Sequence, residues 1–466
     1  MTTSTQTLEA VLSWIDEHLE ESLVRVEDFL RIPSVGTDPA HDEDTARAAA
    51  FASDLLSELG MDSKAHQTPG QPMVMAHDDG PGSGPRILYY GHYDVQPADP
   101  LELWDSPPFE PVRVEGDEGP MIVARGSADD KGQLMMFIEA FRAWKAVTGS
   151  LPTPVHVLLE GEEESGSESL EPFLRDHVGD LASKVCVISD TGMWDPDTPA
   201  ITTRLRGIVY LQATLHGPTH DLHSGVYGGA VVNPLNALSR ILAQLHDDQG
   251  RVQVDGFYDD VEVDEALITE WSALDFDEKG FLATAGLTSS LGEQDRSVLE
   301  RVWSRPTCDI NGIWGGYSGP GAKTVIAAEA SCKISCRVVP HQDPVKIMAG
   351  LKAFLEARTP TGCRWVFEEH GCNPGICIPT DSPWLQTARE SMGQVFDNEA
   401  VLIGCGGSLP IVGSFQEILG VDSLLVGFGL DTDRVHSPNE NFSVARFRHG
   451  VRSHAAMIEA FGNMSS

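Results

Sequence analysis

Apolar residues in the first two hundred positions fall either in short continuous runs or in longer stretches with helical spacing. The runs RILYY (86–90), VHVLL (155–159) and KVCVI (184–188) are rich in β-branched or aromatic residues and are bounded by Gly or Asp, which predicts buried strands. QLMMFIEAFRAWKAV (133–147) and ESLEPFLRDHVG (168–179) repeat apolar residues at the period of a helix that packs on a sheet. Strands and helices in alternation predict an α/β fold with a mainly parallel sheet.

The pattern changes near residue 205 and changes back near residue 376. IVYLQATLHG and AKTVIAAEASCKISCRVVP alternate like half-exposed strands, while NPLNALSRILAQLH and VKIMAGLKAFLEA are amphipathic helices. SLLVGFG (423–429) and a final helix restore the α/β character. We therefore predict one α/β domain, formed by 1–204 and 377–466, that is interrupted by a smaller α+β domain at 205–376. The acidic stretch around 253–300 has no decipherable pattern.

Composition and charge narrow the range of partners. A chain of 466 residues is too long for one compact core. Asp and Glu number 70 against 32 Lys and Arg, and the net charge of −38 repels nucleic acid and anionic membranes. The N-terminus has the pattern of an acidic amphipathic helix, without the basic and apolar segments of a signal peptide, and no run of 18 apolar residues occurs. We expect a cytoplasmic protein whose eight cysteines are buried, reduced thiols.

Histidine and carboxylate residues follow the strand-like segments. They are His92 and Asp94 after RILYY, Asp129 and Asp130 after MIVARGS, Glu162, Glu163 and Glu164 after VHVLLEG, Asp190 after VCVIS, and His436 after LLVGFGLDTDRV. The carboxyl ends of strands in an open α/β sheet line one crevice, so these side chains should meet there. So many carboxylates in one crevice would repel each other unless cations neutralised them. Taken singly, each residue could instead be a helix cap or a solvated charge.

The ligand types indicate the class of cation. Imidazoles mixed with carboxylates suit zinc or a neighbouring transition metal, whereas calcium and magnesium favour oxygen ligands throughout. The ligands exceed the needs of one tetrahedral zinc, which predicts two ions bridged by a carboxylate and sharing a water. One carboxylate must stay off the ions to accept that water's proton. Of the adjacent Glu163 and Glu164, one can bind a metal ion while the other accepts the proton. In an extended His92-Tyr93-Asp94 segment, Asp94 can accept the second ring N–H of His92 and fix its tautomer.

These residues lie in specific motifs. The motifs are YGHYDVQP, WDSPPF, RGSADDKGQ, EGEEESGSESL, SDTGMW, DLHSGVYGG, SGPGAKTVI, CRVVP, GGSLP and HSPNE. From about residue 25 to 460 the chain resembles the carnosinase-type branch of the dinuclear zinc metallopeptidases, a family that also contains succinyl-diaminopimelate desuccinylase, carboxypeptidase G and the aminoacylases. The resemblance implies His92 on one metal, Asp129 as the bridge, Glu164 and Asp190 as terminal ligands, and His436 on the second metal. It also implies Glu163 as general base and then acid, and a non-proline cis peptide after Asp129.

The resemblance assigns further roles to the inserted segment, which it implies is a lid and dimerisation domain. His223 would reach across a homodimer interface to the transition-state oxyanion, and Arg337 would bind the terminal carboxylate of the substrate. Thr324 and Ser408 would be further substrate contacts. The alternative for His223 is a loop histidine packed on Tyr227. For Arg337 the alternative is an arginine paired at the surface.

Together with the metal-site residues, the resemblance implies a metal-dependent dipeptidase that acts on a small dipeptide-like substrate. Its cofactors would be two divalent ions per subunit, namely zinc, with manganese or cobalt as alternatives. Carnosinase-like relatives often carry an acidic residue directly before Gly-Gly-Ser, where it can help to bind a free substrate amine, but here Gly404 and Cys405 stand there. An N-acyl amino acid amidohydrolase of the aminoacylase or desuccinylase type therefore stays open, as does a non-catalytic binding protein on the same fold.

Overall fold

The computed structural model describes residues 4–80, 84–116, 118–262 and 264–464. Its strands are β1 Asp62–His66, β2 Met73–Asp78, β3 Ile87–His92, β4 Val112–Gly116, β5 Gly119–Val123, β6 Val155–Glu160, β7 Val185–Ile188, β8 Ala200–Leu205, β9 Gly207–His216, β10 Leu222–His223, β11 Thr307–Gly315, β12 Val325–Ile326, β13 Glu329–Val338, β14 Arg364–Asn373, β15 Ile376–Cys377, β16 Val401–Cys405, β17 Asp422–Leu425 and β18 Asn441–Ser443.

Helices alternate with these strands. They are α1 Ser4–Glu17, α2 Leu19–Leu30, α3 Asp42–Glu58, α4 Lys131–Thr148, α5 Leu170–Asp176, α6 Ser224–Tyr227, α7 Pro234–Leu242, α8 Glu265–Ala273, α9 Glu278–Thr284, α10 Val298–Trp303, α11 Pro344–Ala357, α12 Pro383–Gly393, α13 Pro410–Ser414 and α14 Val444–Gly462. The chain divides into two compact units. The first comprises Met1–Thr203, Ile378–Ile403 and Ile411–Ser466, and the second comprises Arg204–Cys377 and Gly404–Pro410.

The first unit is built on a mixed sheet in the order β1-β2-β6-β3-β7-β17-β8. Its centre, β6-β3-β7-β17, is parallel, while β1, β2 and β8 pair antiparallel. The predicted α/β class is confirmed, but the sheet is mixed rather than mainly parallel. The difference arises at its margins, because β1 (DSKAH) is a polar, partly exposed strand that lacks the apolar run of the central strands.

The parallel strands at the centre of this sheet are buried on both faces. Every residue of β3, β6 and β7 is buried, as expected for parallel strands covered on both faces. The Tyr89 ring, fully buried, packs against Phe137, Phe141 and His454, which belong to α4 and α14. A buried aromatic side chain of this kind stabilises the fold by about 1.5–3 kcal/mol. The covering helices thus fix the strands whose ends carry the polar residues.

A smaller antiparallel sheet, in the order β18-β5-β4, lies in the same unit. Asn441 pairs with Val123 and Ser443 with Met121. This pairing places the segment that follows β5 beside the segment that precedes β18, and both segments carry candidate ligands.

The second unit is an antiparallel sheet in the order β11-β13-β9-β14, with α7 and α11 packed on it. Residues of β9 alternate between buried and half-buried, with Val209, Leu211 and Ala213 in the core. The predicted α+β layer is therefore present, and the acidic stretch that resisted interpretation forms α8, α9 and α10. The lid and dimerisation roles predicted for this segment stay predictions.

The cysteines form no disulfide bonds among themselves. All eight cysteines are free, with Cys186, Cys308, Cys332 and Cys336 buried and the other four half-buried. Burial was therefore predicted correctly for only half of them. Among the helices that the structure describes, none is long and apolar enough to cross a membrane.

Candidate metal centre and active site

The candidate residues of the first unit come from segments that follow its strands. His92 ends β3, Asp190 follows β7, and Glu163 and Glu164 lie in the 3-10 turn Glu163–Ser165 after β6. These three strands are parallel neighbours, so their carboxyl ends lie at the same edge of the sheet. Asp129 arrives separately, from the segment after β5, and the peptide bond that follows it is cis, as the resemblance implied.

One group of possible metal ligands consists of His92, Asp129 and Asp190. His92 Nε2 lies 3.0 Å from Asp129 Oδ1 and 3.8 Å from Asp190 Oδ2. The His92 ring is fully buried. Its other nitrogen, Nδ1, lies 3.0 Å from the backbone carbonyl oxygen of Asp94 and 3.4 Å from Asp94 Oδ1. Asp94 therefore faces the ring with both its carbonyl and its carboxylate.

A second group consists of Asp129, Glu164 and His436. His436 Nε2 lies 2.9 Å from Asp129 Oδ2 and 3.4 Å from Glu164 Oε1. Asp129 is common to both groups, and each of its oxygens faces one histidine. Within each group the ligand atoms all lie within 4.8 Å of one another.

The two groups fit divalent cations. Each offers one imidazole and two carboxylates, which leaves a coordination position open for water or substrate and matches catalytic zinc sites. The hydrogen bond to Asp129, followed by the proximity of the Glu164 carboxylate, raises the pKa of His436 to about 10. Burial, followed by the charge of Asp130, raises the pKa of Asp190.

Glu163 is placed differently from Glu164. Its side chain belongs to neither group of ligands, although it lies in the same turn. Burial, with added repulsion from Glu164 and Asp129, raises the pKa of Glu163 to about 7. A carboxylate with a pKa near neutrality is suited to accepting and returning a proton.

The turn itself is held by Asp94. The carboxylate of Asp94 accepts the backbone N–H groups of Glu163 at 3.3 Å and Glu164 at 3.1 Å. Asp94 therefore connects the ring of His92 to the turn that carries both glutamates. Gln96 Nε2 donates to Glu164 Oε2 at 2.7 Å and orients that carboxylate.

In the second unit, β10 pairs with β12, which places His223 opposite Val325. The backbone N–H of Ser224 donates to the Thr324 carbonyl at 3.1 Å, so His223 and Thr324 lie on adjacent segments. His223 is exposed, and its Nδ1 accepts the Gly225 N–H at 3.0 Å. Within the described residues no ring contact joins His223 to Tyr227, and both the predicted role of His223 and its alternative stay predictions.

Arg337 lies on β13 and is half-buried, and among the described residues its guanidinium has no hydrogen bond or ion pair. The structure thus gives Arg337 no surface partner within the described residues, and its substrate-binding role stays a prediction. Ser408 lies in Gly404–Pro410, the short segment that groups with the second unit. Arg206 holds this segment, because its Nε donates to the Gly406 carbonyl at 3.1 Å and its backbone N–H to the Gly407 carbonyl at 3.1 Å. Burial, and then the positive charge of Arg337, lowers the pKa of Arg206 to about 10.

Sequence reasoning missed several residues of these sites, including Gln96, Arg206 and Glu440. Glu440 is fully buried and accepts the N–H of Asp129. Gln96 and Glu440 both lie inside motifs already described, YGHYDVQP and HSPNE. Their closeness in sequence to the candidate ligands His92 and His436 was the signal that could have identified them. The burial of a charged residue cannot be read from its neighbours in sequence.

Known proteins resemble this chain over nearly its whole length. The Cys-Gly metallodipeptidase DUG1 of Saccharomyces cerevisiae is 30% identical over 97% of this chain and 98% of its own length. The Beta-Ala-His dipeptidase of Homo sapiens is 30% identical over 97% of this chain and 92% of its own. The solved structure of the di-peptidase Dug1p from Saccharomyces cerevisiae superposes with a TM-score of 0.82 at 29% identity, covering 98% of this chain and 99% of that one.

The family resemblance inferred from the motifs is confirmed by a profile match. The profile of peptidase family M20/M25/M40 matches residues 88–460, which is most of the chain. The chain therefore belongs to the peptidase family M20/M25/M40 and is a metallopeptidase.

Proposed function

We propose that this chain hydrolyses the peptide bond of dipeptides or dipeptide-like substrates at a dinuclear metal centre. The observation that carries the proposal is the sharing of Asp129, whose two oxygens each face a different histidine, His92 and His436. Relatives similar over nearly the whole chain bear the names Cys-Gly metallodipeptidase and Beta-Ala-His dipeptidase. Both names describe cleavage of an amide bond between two residues.

The proposed ligands are His92 and Asp190 for one ion, Glu164 and His436 for the other, and Asp129 for both. We propose zinc as the native metal, with manganese or cobalt as alternatives, because mixed imidazole and carboxylate sites suit these ions. When bound, two such ions lower the pKa of a shared water and polarise the scissile carbonyl. Asp94 holds His92 in place and keeps the Glu163–Ser165 turn against it.

Glu163 is proposed to move the proton. Its carboxylate takes a proton from the attacking water and donates it to the amine nitrogen that leaves. The position of Glu163 supports this role, because it shares a turn with the proposed ligand Glu164 while its own side chain belongs to neither ligand group.

Residues of the second unit are proposed to bind the rest of the substrate. Arg337, without an ion pair among the described residues, would bind the terminal carboxylate as a bidentate partner. Thr324 and Ser408 would contact the substrate near it. His223 would stabilise the oxyanion of the partner active site in a homodimer. The exposure of His223 and of the neighbouring Val226 and Tyr227 supports that arrangement.

The compartment is a further part of the proposal. We propose a cytoplasmic location, which fits the lack of disulfide bonds among the eight cysteines.

An N-acyl amino acid amidohydrolase is the second candidate. The position where carnosinase-like proteins often carry an acidic residue is held by Cys405, whose thiol accepts the Gly407 N–H at 3.3 Å. Arg206 lies next to this position, because its Nε donates to the Gly406 carbonyl at 3.1 Å. A positively charged residue beside this position would disfavour a free substrate amine and favour an acylated one.

The test combines a substrate screen with a variant pair. The metal-free protein is reloaded with zinc, manganese or cobalt and assayed on dipeptides and on N-acetyl and N-succinyl amino acids. Glu163→Gln should reduce kcat by roughly 10²–10⁴ while two ions per subunit remain bound. Glu168→Gln is the matched control, because Glu168 is an exposed glutamate just beyond the same turn, and this variant should keep the parent's rate.

Each outcome has a clear consequence. Preferred turnover of N-acyl substrates would replace the dipeptidase proposal with the second candidate. Full activity in excess chelator, or full activity of Glu163→Gln, would contradict the mechanism itself.

A further inference from the structure

Glu440 is a buried carboxylate that lies beside the metal centre without being a candidate ligand. It is fully buried, and it follows His436 by four residues. A buried carboxylate is tolerated only where donors compensate the loss of water. The donors that surround Glu440 therefore show what the residue holds in place.

Both oxygens of Glu440 are occupied by the segment that carries Asp129. Oε1 accepts the backbone N–H groups of Ala128 at 2.9 Å and Asp129 at 3.1 Å. Oε2 accepts the backbone N–H of Gly126 at 3.1 Å and Arg125 Nη1 at 2.6 Å. The chain from Arg125 to Asp129 thus wraps around one carboxylate, as successive backbone amides do around a bound anion.

Backbone hydrogen bonds also join the segment that contains Glu440 to the segment that leads to Asp129. The carbonyl of Glu440 accepts the Ala124 N–H at 3.0 Å, where β5 ends, and β18 pairs with β5 from the next residue onward. Arg125, itself 1% exposed, also donates to the Pro97 carbonyl at 3.0 Å. The approach of the Asp129 segment is therefore fixed at several consecutive residues.

The segment that carries His436 is braced at its other end by Asp433. Asp433 is buried, pairs with Arg446, and accepts the Leu430 N–H at 2.7 Å. Between Asp433 and Glu440 the backbone has positive φ at Arg434 (58°), His436 (60°) and Asn439 (63°). Non-glycine residues keep such a conformation only where the surroundings impose it.

We propose that Glu440 is a positioning residue for the metal centre, which holds the Asp129 segment so that the two Asp129 oxygens face His92 and His436. The inference rests on the proposed function, because it assumes that ions bind at Asp129. Glu440 connects two segments far apart in sequence whose ligand atoms, Asp129 Oδ2 and His436 Nε2, lie 2.9 Å apart. Partners outside the ligand set typically change metal affinity by about 10–100-fold when they are removed.

The experiment measures metal affinity rather than turnover. The full-length protein is stripped of metal with a chelator and titrated with zinc in competition with a fluorescent zinc indicator. Glu440→Gln keeps the size of the side chain but places an amide group against the Arg125 guanidinium or a backbone N–H. We expect zinc to bind the variant about 10–100-fold more weakly than the parent.

Glu139→Gln is the matched control. Glu139 is equally buried and also accepts four donors, from Ser22, Arg25 twice and Arg142, yet none of these residues carries a candidate ligand. Its zinc affinity should stay within about twofold of the parent's, although its resistance to urea should fall. This control separates a positioning role from a general loss of buried hydrogen bonds.

The outcomes are distinguishable. Parent-like zinc affinity in Glu440→Gln, or an equal weakening in Glu139→Gln, overturns the inference and leaves the proposed function intact. A parent protein that binds no zinc overturns the proposed function first. If Glu440→Gln does not fold, Arg125→Lys keeps the charge but loses the planar donor pair, and zinc affinity unchanged in that variant also overturns the inference.

Discussion

Gly132 lies in the first turn of α4, next to the segment that carries Asp129, and a methyl group there has no room. A Cβ built on Gly132 would lie 1.8 Å from the Ser127 carbonyl oxygen and 2.9 Å from its carbon. Reaching even 3.0 Å requires a movement of at least about 1.2 Å, and the obstacle is backbone rather than a flexible side chain. Gly132→Ala therefore forces the chain between Ser127 and Asp129 to shift.

Two opposing effects set the magnitude. Alanine favours a helix over glycine by about 1 kcal/mol, which would stabilise the variant. Overpacking in a buried site typically costs about 1–3 kcal/mol, and here relief by rotation about a side-chain bond is not possible. Because the obstacle is backbone, we take the upper part of that range, about 2–3 kcal/mol, and after subtracting the gain of about 1 kcal/mol we expect a net loss of stability of about 1–2 kcal/mol.

The assay compares urea unfolding of metal-free parent and variant, followed by zinc titration. Gly393→Ala is the control, because Gly393 ends α12 and a Cβ there meets nothing within 4 Å. That variant should be neutral or slightly more stable. If Gly132→Ala unfolds at the parent's urea concentration and binds zinc equally well, the reasoning about this contact is refuted.

Further predictions concern the effects of metal removal, of pH and of a substitution in the core of the second unit on the stability of the fold. Removing metal with a chelator should lower the unfolding temperature, since an ion at 100 times its Kd stabilises the folded state by about 2.7 kcal/mol; an unchanged melting curve would contradict a bound ion. Burial lowers the pKa of His454 to about 3, below the roughly 6.5 of an unfolded chain, so the unfolded state binds the extra proton and stability is lost as pH falls from about 6.5. Between pH 6.5 and 5 the unfolding free energy of the His454→Phe variant should therefore fall by about 1.5 kcal/mol less than that of the parent, as measured by urea titration at each pH. An equal fall in both proteins would exclude His454 as the cause. In the second unit, Leu351→Ala should cost about 2–5 kcal/mol because Leu351 is fully buried, while Val345→Ala at an exposed position should have little effect on urea unfolding.

The sequence predicted those parts of the molecule in which a local pattern carries the information. The continuous apolar runs of β3, β6 and β7 reveal buried parallel strands, and the polar residues that follow them, such as His92 and Asp190, therefore meet. The antiparallel strand β1 escaped notice because its pairing with β2 depends on long-range contacts and not on its own polar sequence.

The site residues that the sequence did not predict also depend on long-range contacts. Glu440 and Arg125 look like surface charges in the sequence, and only their distance of 2.6 Å in a fully buried environment shows that they form part of the support for Asp129. The grouping of Gly404–Pro410 with the second unit was equally invisible, because the hydrogen bond between Arg206 and this segment joins residues some two hundred positions apart.

The sharing of Asp129 has a consequence for how ions would load. Because one carboxylate faces both histidines, an ion on the His92 side would orient Asp129 for its neighbour and also withdraw electron density from it. Occupancies of the two positions are then thermodynamically linked: if binding of the first ion changes the affinity for the second by some factor, binding of the second changes the affinity for the first by the same factor. A protein built in this way should show cooperative or sequential filling, and mixed-metal forms should differ according to the order of addition only until equilibrium is reached.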